Sequence, residues 1–585
     1  MLGLRDSDKE LAKHGRMTEI GLTRKRRQRE GAEMLGLMQD WPLTLDRLLI
    51  HAARWHGDQE IVSREQDGSL SRTTYATLHG RARRLSNALR SLGIGVGDRV
   101  GTLAWNRARH IETWYGIMGI GAVCHTLNPR LFADQLVYII NHAATRILFA
   151  DVDLVPFITE NIARLPKLEH VVLMTDEAGM VECPKAIAYE SLIAAHGEDC
   201  EWGNFDERTA AGLCYTSGTT GNPKGVLYSH RSNFMHALIS LQADMFGLAA
   251  SDVVLAVVPM FHANAWGLSF AAPAVGAKLV MPGSRLDGEA VFELIEKENV
   301  TFSAAVPTVW QMLLHYMQQT GKKPTSLRRV VVGGSACPES LIRAFHDDYG
   351  VELLHLWGMT EMSPVGTVGA MSSDLATRSF EEQMPYRLKQ GRPPIGVDLA
   401  LFDDDDNPVP HDGKTFGRLK VKGGTVTSAY MGNEPGSALD KGGWFDTSDI
   451  ATIDALGFMQ ITDRAKDLIK SGGEWISSIE IENIAVAHPD VAVAAVIAIA
   501  DPKWDERPLL VIEPIPGHTP APDELLQFLD GKIARWWMPD GVAIVDKIPL
   551  GATGKIDKKV LRDMAKAGSF DQALKSAKTA AAAAE

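Results

Sequence analysis

Cysteine is scarce in this chain of 585 residues: there are five, Cys124, Cys183, Cys200, Cys214 and Cys337, and no C-x-x-C spacing. Neither a disulfide framework nor a zinc knuckle is suggested, and a reducing cytoplasm fits. Long apolar runs are missing too. Val491 to Ala500 is only half of the ~20 residues that a membrane helix needs, and it reads as a buried strand. A soluble protein without a membrane span is expected. Basic surplus is also absent: a formal net charge of −13 argues against nucleic-acid binding, which requires a concentrated basic surface. The one basic run, Arg24-Lys25-Arg26-Arg27-Gln28-Arg29, lies in a first segment without aromatics and with no apolar h-region behind it. Met1-Leu2-Gly3-Leu4 recurs at Met34-Leu35-Gly36-Leu37, so residues 1–33 are expected to be a disordered or non-native extension.

The chain exceeds the ~250–300 residues that one hydrophobic core supports, and an apolar content of 45% allows at least two domains. Short apolar runs alternate with helix-like stretches from Leu43 to about Thr462. Val253 to Val258, Phe302 to Val306 and Arg329 to Val332 read as strands; Thr308 to Gln319 and Pro338 to Tyr349 read as helices. The fold class expected is α/β, with parallel-rich sheets flanked by helices, and ligands gather at the carboxyl ends of such strands. Gly333-Gly334-Ser335-Ala336-Cys337-Pro338 and Trp357-Gly358-Met359-Thr360-Glu361 both follow strand-like runs and are candidates for that edge. Asp403-Asp404-Asp405-Asp406-Asn407, between an apolar run and Pro408, reads as a turn.

The segment Tyr215-Thr216-Ser217-Gly218-Thr219-Thr220-Gly221-Asn222-Pro223-Lys224-Gly225-Val226 carries the most chemistry. Its glycines let the backbone turn tightly and aim N–H groups at phosphate oxygens, its hydroxyls add donors, and Lys224 supplies countercharge. Gly218 to Lys224 approaches P-loop spacing, but Pro223 stands at the second glycine and Gly225 at the metal-binding Ser/Thr, so a P-loop NTPase is disfavoured. Apolar runs at Ala211–Tyr215 and Gly225–Tyr228 place this loop between two short strands.

The dodecapeptide resembles the phosphate-binding signature of the adenylate-forming enzymes: acyl-CoA synthetases, nonribosomal adenylation domains and beetle luciferases. Four further segments are similar to that family's motifs in the same order. Leu356-Trp357-Gly358-Met359-Thr360-Glu361 resembles the adenine and magnesium segment and Phe445-Asp446-Thr447-Ser448-Asp449 the ribose segment. Asp463-Arg464-Ala465-Lys466-Asp467 resembles the interdomain hinge, and Gly551-Ala552-Thr553-Gly554-Lys555-Ile556 the catalytic-lysine loop. The resemblance implies a large domain over 34–462, a small mobile α+β domain over 463–567 and a tail over 568–585. It also implies a homodimer.

ATP, Mg2+ and coenzyme A follow from the same resemblance. Thr216, Ser217, Gly218, Thr219, Thr220 and Lys224 would hold the β- and γ-phosphates, Thr360 the α-phosphate and Glu361 the metal. Gly334, Ser335, Ala336, Trp357, Gly358 and Met359 would border the nucleotide; Asp449 and Arg464 would grip the ribose. Lys555 would bridge the attacking carboxylate and the α-phosphate. Rotation about Lys466 would then bring Lys470, Gly472, Gly473, Glu474 and Trp475 to the pantetheine arm.

His262, Trp266, Gly333 and Gly334 would line the acid pocket, with the Trp266 ring shortening it towards short or medium acids. Met34 to about Arg562 resembles bacterial acyl-CoA synthetases of the medium-chain group, including 3-methylmercaptopropionyl-CoA ligases, through Leu43–Leu49, Gln390–Pro393 and Trp504–Pro508. Two departures stand out: Ser448 replaces a usual glycine, and Leu550-Gly551 a usual Arg-Thr. A carrier-linked adenylation domain is disfavoured by the ~30 residues after Lys555, and a nucleotide-binding regulator by retention of Lys224, Glu361, Asp449, Arg464 and Lys555.

Overall fold

A computed structural model describes residues 36–216, 222–464, 467–471, 474–551 and 555–574. The expected extension 1–33 and the end of the expected tail, 575–585, lie outside the described residues. Residues 36–42 carry no helix or strand, and the chain from Leu43 onward clusters as one unit.

Four sheets organise that unit. The first runs, in spatial order, Ala186–Ala188, His170–Leu173, Ile147–Ala150, Arg99–Leu103, Val123–Thr126, Ala210–Tyr215 and Gly225–Ser229. All its pairs are parallel except the last, the hairpin that carries the phosphate-loop segment. A second sheet runs Val365–Val368, Glu352–Gly358, Arg329–Val332, Phe302–Ala305, Val253–Leu255, Lys278–Met281, Glu60–Arg64 and Leu70–Thr74, parallel within and antiparallel at both ends. The inner strands are buried on both faces, as their continuous Val/Ile/Leu/Ala runs require. The fold is therefore α/β with parallel-rich sheets between helices.

A third, antiparallel sheet of Val397–Phe402, Gly417–Gly423, Phe445–Ile453 and Met459–Arg464 follows. The fourth joins Glu474–Ile476, Ile469–Ser471, Asp505–Pro514 and Val491–Asp501, with Val542–Ile544 parallel to the Asp505–Pro514 strand. Helices Ser478–Val486, Pro522–Leu529 and Lys558–Lys566 accompany it. Phe570, within the expected tail, is buried against Ile548 and Leu561. The run Asp403–Asp406 is a turn, with the Asp403 carboxylate accepting the N–H groups of Asp405 and Asn407.

Some boundaries differ from those the sequence predicts. The strand expected over 253–258 ends at Leu255, because the carbonyls of Ala256 and Val258 accept from the Asn106 side chain instead of a neighbouring strand. The helix Pro522–Leu529 stops where Asp530 turns extended and Gly531 takes φ +74°. The helix Pro307–Thr320 opens on Pro307 and closes on Gly321 at φ +66°, the usual Pro-in, Gly-out asymmetry.

Six histidines (His110, His125, His230, His236, His262 and His355) are held neutral by burial, their pKa values pushed down to about 3 or 4. Between about pH 6.5 and 4 the unfolded chain binds protons that the folded chain refuses, so this stability is present above pH ~6.5 and lost as pH falls. The melting temperature should fall steeply between about pH 6.5 and 4.5, with each histidine weighing up to ~1.4 kcal/mol per pH unit. A melting temperature flat across that window would contradict the burial of these rings.

Candidate active site

The strand Ala210–Tyr215 delivers the chain to Thr216, and Gly225–Ser229 takes it away from Lys224. The Thr216 N–H donates to the Lys224 carbonyl at 2.9 Å, closing the base of the loop. Tyr215 beneath it hydrogen-bonds through its hydroxyl to His142 Nδ1 at 2.6 Å. Ser217, Gly218, Thr219 and Thr220 lie outside the described residues. The Lys224 ammonium sits 4.9 Å from the centroid of the Tyr430 ring.

The strand Glu352–Gly358 ends beside this loop and feeds Met359, Thr360 and Glu361. Gly358 is required there: a Cβ would stand 2.2 Å from the Pro364 carbonyl oxygen. Thr360 and Glu361 are buried, and the Tyr228 hydroxyl donates to the Thr360 carbonyl at 2.7 Å. The Tyr430 hydroxyl donates to Glu361 Oε1 at 2.8 Å. Burial, and then the charge of Glu361, push the Tyr430 phenol above its ordinary pKa, so it remains a donor. A cleft of about 370 Å³ opens here, lined by Tyr228, Ser232, Glu361, Ser363, Thr425 and Tyr430 among others.

Trp357 and Asp449 meet across the strand ends. The indole N–H donates to Asp449 Oδ2 at 3.0 Å, and both side chains are buried. Asp449 pairs with Arg464 in the third sheet, so the two expected ribose residues are backbone neighbours; of Arg464 the backbone alone is described. Ser448, where the family resemblance expects glycine, takes φ +61°, the left-handed region that glycine adopts freely.

Gly333 and Gly334 follow directly on the strand Arg329–Val332, at the carboxyl edge. Gly334 has φ +88°, and a Cβ there would lie 3.5 Å from Lys555 Cε. Lys555, more than 200 residues away in sequence, therefore reaches this edge. Its charge also bears on His262, whose pKa is lowered to about 4 by burial first and by Lys555 second. Lys555, Gly334 and His262 are thus brought together. Ser335 is exposed and Ala336 half-buried on the same loop.

Lys470 lies elsewhere in the pattern: it pairs with Trp475 in the fourth sheet, and its N–H donates to Glu506 Oε2 at 2.9 Å. Gly472, Gly473 and Lys466 lie outside the described residues, and of Glu474 and Trp475 the backbone alone is described. Among the described residues no three His, Cys, Asp or Glu side chains gather as a ready-made metal cage. Glu361 beside a hydroxyl-lined cleft still fits Mg2+, which commonly takes one or two protein carboxylates plus substrate phosphates and water.

The segment after His262 is the most strained part of the site. Ala263, Asn264, Ala265, Trp266 and Gly267 all have positive φ, between 44° and 83°. Left-handed backbone costs each non-glycine residue ~1–2 kcal/mol, so surrounding contacts must hold it. Trp266 is buried in an apolar cluster with Phe234, Met260 and Leu268, and Asn264 Nδ2 donates to Asn233 Oδ1 at 3.3 Å. His236 Nε2 accepts the Val365 N–H at 3.1 Å, while its other ring nitrogen packs where a Cβ on Gly267 would stand, 2.6 Å away.

Three residues that sequence reasoning missed organise this geometry: Asn106, His236 and Tyr430. Asn106 is fully engaged in stitching the first sheet to the second. Its amide donates to the carbonyls of Ala256 and Val258, both at 2.8 Å, and its Oδ1 accepts the Met260 N–H at 2.7 Å. No motif marks it, since all three bonds are long-range. Asn106→Ala leaves these buried groups without their partner and should cost ~3 kcal/mol or more of unfolding free energy, read from denaturant midpoints; a loss below ~1 kcal/mol would contradict the stitch.

The model of the AMP-binding enzyme family matches residues 49–431, and that of the AMP-binding enzyme C-terminal domain matches residues 480–555. The chain is 51% identical over 532 residues to the 3-methylmercaptopropionyl-CoA ligase of Ruegeria lacuscaerulensis, covering 91% of this chain and 98% of that protein. It is 48% identical to the medium-chain-fatty-acid–CoA ligase of Ectopseudomonas oleovorans, covering 91% and 97%. Its fold is similar to the crystal structure of the anthranilate CoA ligase AuaEII in complex with anthranoyl-AMP, with a TM-score of 0.80, 26% identity and coverage of 91% and 100%. With a family model over most of the chain and a relative at 51% identity, the chain belongs to the AMP-binding enzyme family.

Proposed function

We propose that this protein is an ATP-dependent acid–thiol ligase that makes an acyl-CoA through an acyl-adenylate, releasing pyrophosphate and AMP. The observation that carries the reading is the meeting of Lys555 with Gly334 and His262, on the edge that also holds Lys224, Glu361 and Asp449.

A carboxylate oxygen attacks the α-phosphorus of ATP and the bond to pyrophosphate breaks. The step joins two anions, so positioning and charge neutralisation dominate its catalysis. Thr216, Ser217, Gly218, Thr219, Thr220 and Lys224 hold the β- and γ-phosphates, Thr360 meets the α-phosphate, and Lys555 bridges it to the acid. Glu361 holds Mg2+, which would shield the polyphosphate charge. Asp449, aimed by Trp357, takes the ribose hydroxyls with Arg464. Gly334, Ser335, Ala336, Gly358 and Met359 border the nucleotide. In the second step the thiol of coenzyme A attacks the acyl carbonyl and AMP leaves, its proton passing to solvent. For this step the small domain, 463–567, turns about Lys466 and presents Lys470, Gly472, Gly473, Glu474 and Trp475.

The acid lies against His262, Trp266, Gly333 and Gly334. The 51% identity to a 3-methylmercaptopropionyl-CoA ligase supports that thioether acid as the substrate; medium-chain fatty acids are the alternative. One methylene is worth only ~1–3 kcal/mol in such a pocket, so several acids of similar length are accepted. No helix among the described residues is long and apolar enough to cross a membrane, and the scattered cysteines support a cytoplasmic setting. A homodimer completes the reading and is checked by sedimentation.

The test is AMP release from ATP and Mg2+, with and without coenzyme A, across straight-chain acids and 3-methylmercaptopropionate. Release that depends on coenzyme A and peaks at the thioether acid or at medium chains supports the assignment; no AMP from any acid sinks it. Lys555→Ala should lower pyrophosphate release by ~10²–10⁴-fold and spare thioester formation from supplied acyl-adenylate. Trp357→Phe removes a hydrogen bond to a carboxylate and should raise the KM for ATP ~10-fold with kcat little changed. An unchanged KM would show that Asp449 needs no such support.

A further inference from the structure

We infer that Tyr430 is a positioning residue that holds the ammonium of Lys224 and the carboxylate of Glu361 apart and aimed into one space, so that Mg·ATP meets charges already set. The inference rests on the ligase reading above and deepens it.

Tyr430 touches both charges with different parts of one side chain. Its ring face lies 4.9 Å from Lys224 Nζ, and its hydroxyl donates to Glu361 Oε1 at 2.8 Å. Opposite charges attract, and a direct ion pair between them would cancel the field that a polyphosphate and its metal need. An aromatic face steadies an ammonium without neutralising it, and a phenol hydroxyl does the same for a carboxylate. Tyr430 therefore fixes the direction of each charge without itself neutralising it.

The backbone around Tyr430 is built for this task. The Met431 N–H donates to the Gly225 carbonyl at 2.8 Å, next to Lys224, and the Thr427 N–H donates to the Glu361 carbonyl at 2.7 Å. The strap from Thr427 to Met431 is thus tied at one end to the phosphate loop and at the other to the Glu361 segment. Phe445 packs against the ring, with centroids 6.4 Å apart. The Thr427 hydroxyl donates to the Ala429 carbonyl at 2.8 Å, and the Asn433 N–H to the Tyr430 carbonyl at 3.0 Å, which stiffens the strap itself.

The two halves of the role separate by substitution. Tyr430→Phe keeps the ring and removes the hydroxyl; Tyr430→Leu removes both. With the full chain and α,β-methylene-ATP, whose α–β bridge cannot be cleaved, bound Mn2+ is counted by electron paramagnetic resonance and metal-free analogue binding by calorimetry. Tyr430→Phe should weaken Mn2+ binding about 10-fold, leave metal-free analogue binding within ~2-fold, and keep kcat at saturating Mg2+ within ~3-fold. Tyr430→Leu should in addition weaken the metal-free analogue by about 3–10-fold. Wild-type Mn2+ affinity in Tyr430→Phe overturns the inference, as do equal defects in both variants accompanied by equal losses of melting temperature. A wild type that neither binds the analogue nor releases AMP overturns the ligase reading itself; a wild type that does both, with an unaltered Tyr430→Phe, overturns this inference alone.

Discussion

Parallel strands end on a common edge, and that single constraint gathers the site. Thr216 follows Ala210–Tyr215, Gly333 and Gly334 follow Arg329–Val332, and Thr360 and Glu361 follow Glu352–Gly358. The segments at Gly333 and at Thr360 each begin where a buried strand stops, so their groups inherit the rigidity of the sheet. Asn106 then fixes the edge of one sheet to that of the other through Ala256, Val258 and Met260. The segment carrying His262 and Trp266 starts from this anchor, which is why a run of left-handed residues can persist there.

On that edge the side chains form a balanced array of charge. Lys224 and Lys555 stand among Glu361 and Asp449. Trp357 aims Asp449 and Tyr430 aims Glu361, in both cases with an aromatic donor. Neutral donors of this kind orient an anion and leave its charge available, which suits a reaction that must bring two further anions together.

The sequence made the chemistry-bearing loops legible because they are local: glycines, hydroxyls and a lysine within a dozen residues, or a Trp-Gly-Met-Thr-Glu run behind an apolar strand. It also made the α/β architecture legible, since buried parallel strands are continuous apolar runs. It did not mark Asn106, His236 or Tyr430, because each works through contacts with residues far away in the chain. The early end of the strand at Leu255 has the same origin: Val257 and Val258 have strand propensity, but Asn106 claims the carbonyls of Ala256 and Val258. Ser448 is a different case, a visible departure whose cost shows only in its φ of +61°.

The central claim is that the acid is activated as an adenylate, and oxygen tracing tests it most directly. If 3-methylmercaptopropionate or a medium-chain acid labelled with ¹⁸O in its carboxylate is turned over with ATP and coenzyme A, one labelled oxygen attacks the α-phosphorus and stays there when the thiol displaces AMP. The account predicts one ¹⁸O in the AMP and none in the pyrophosphate. Label in released inorganic phosphate, or AMP carrying none, would contradict it.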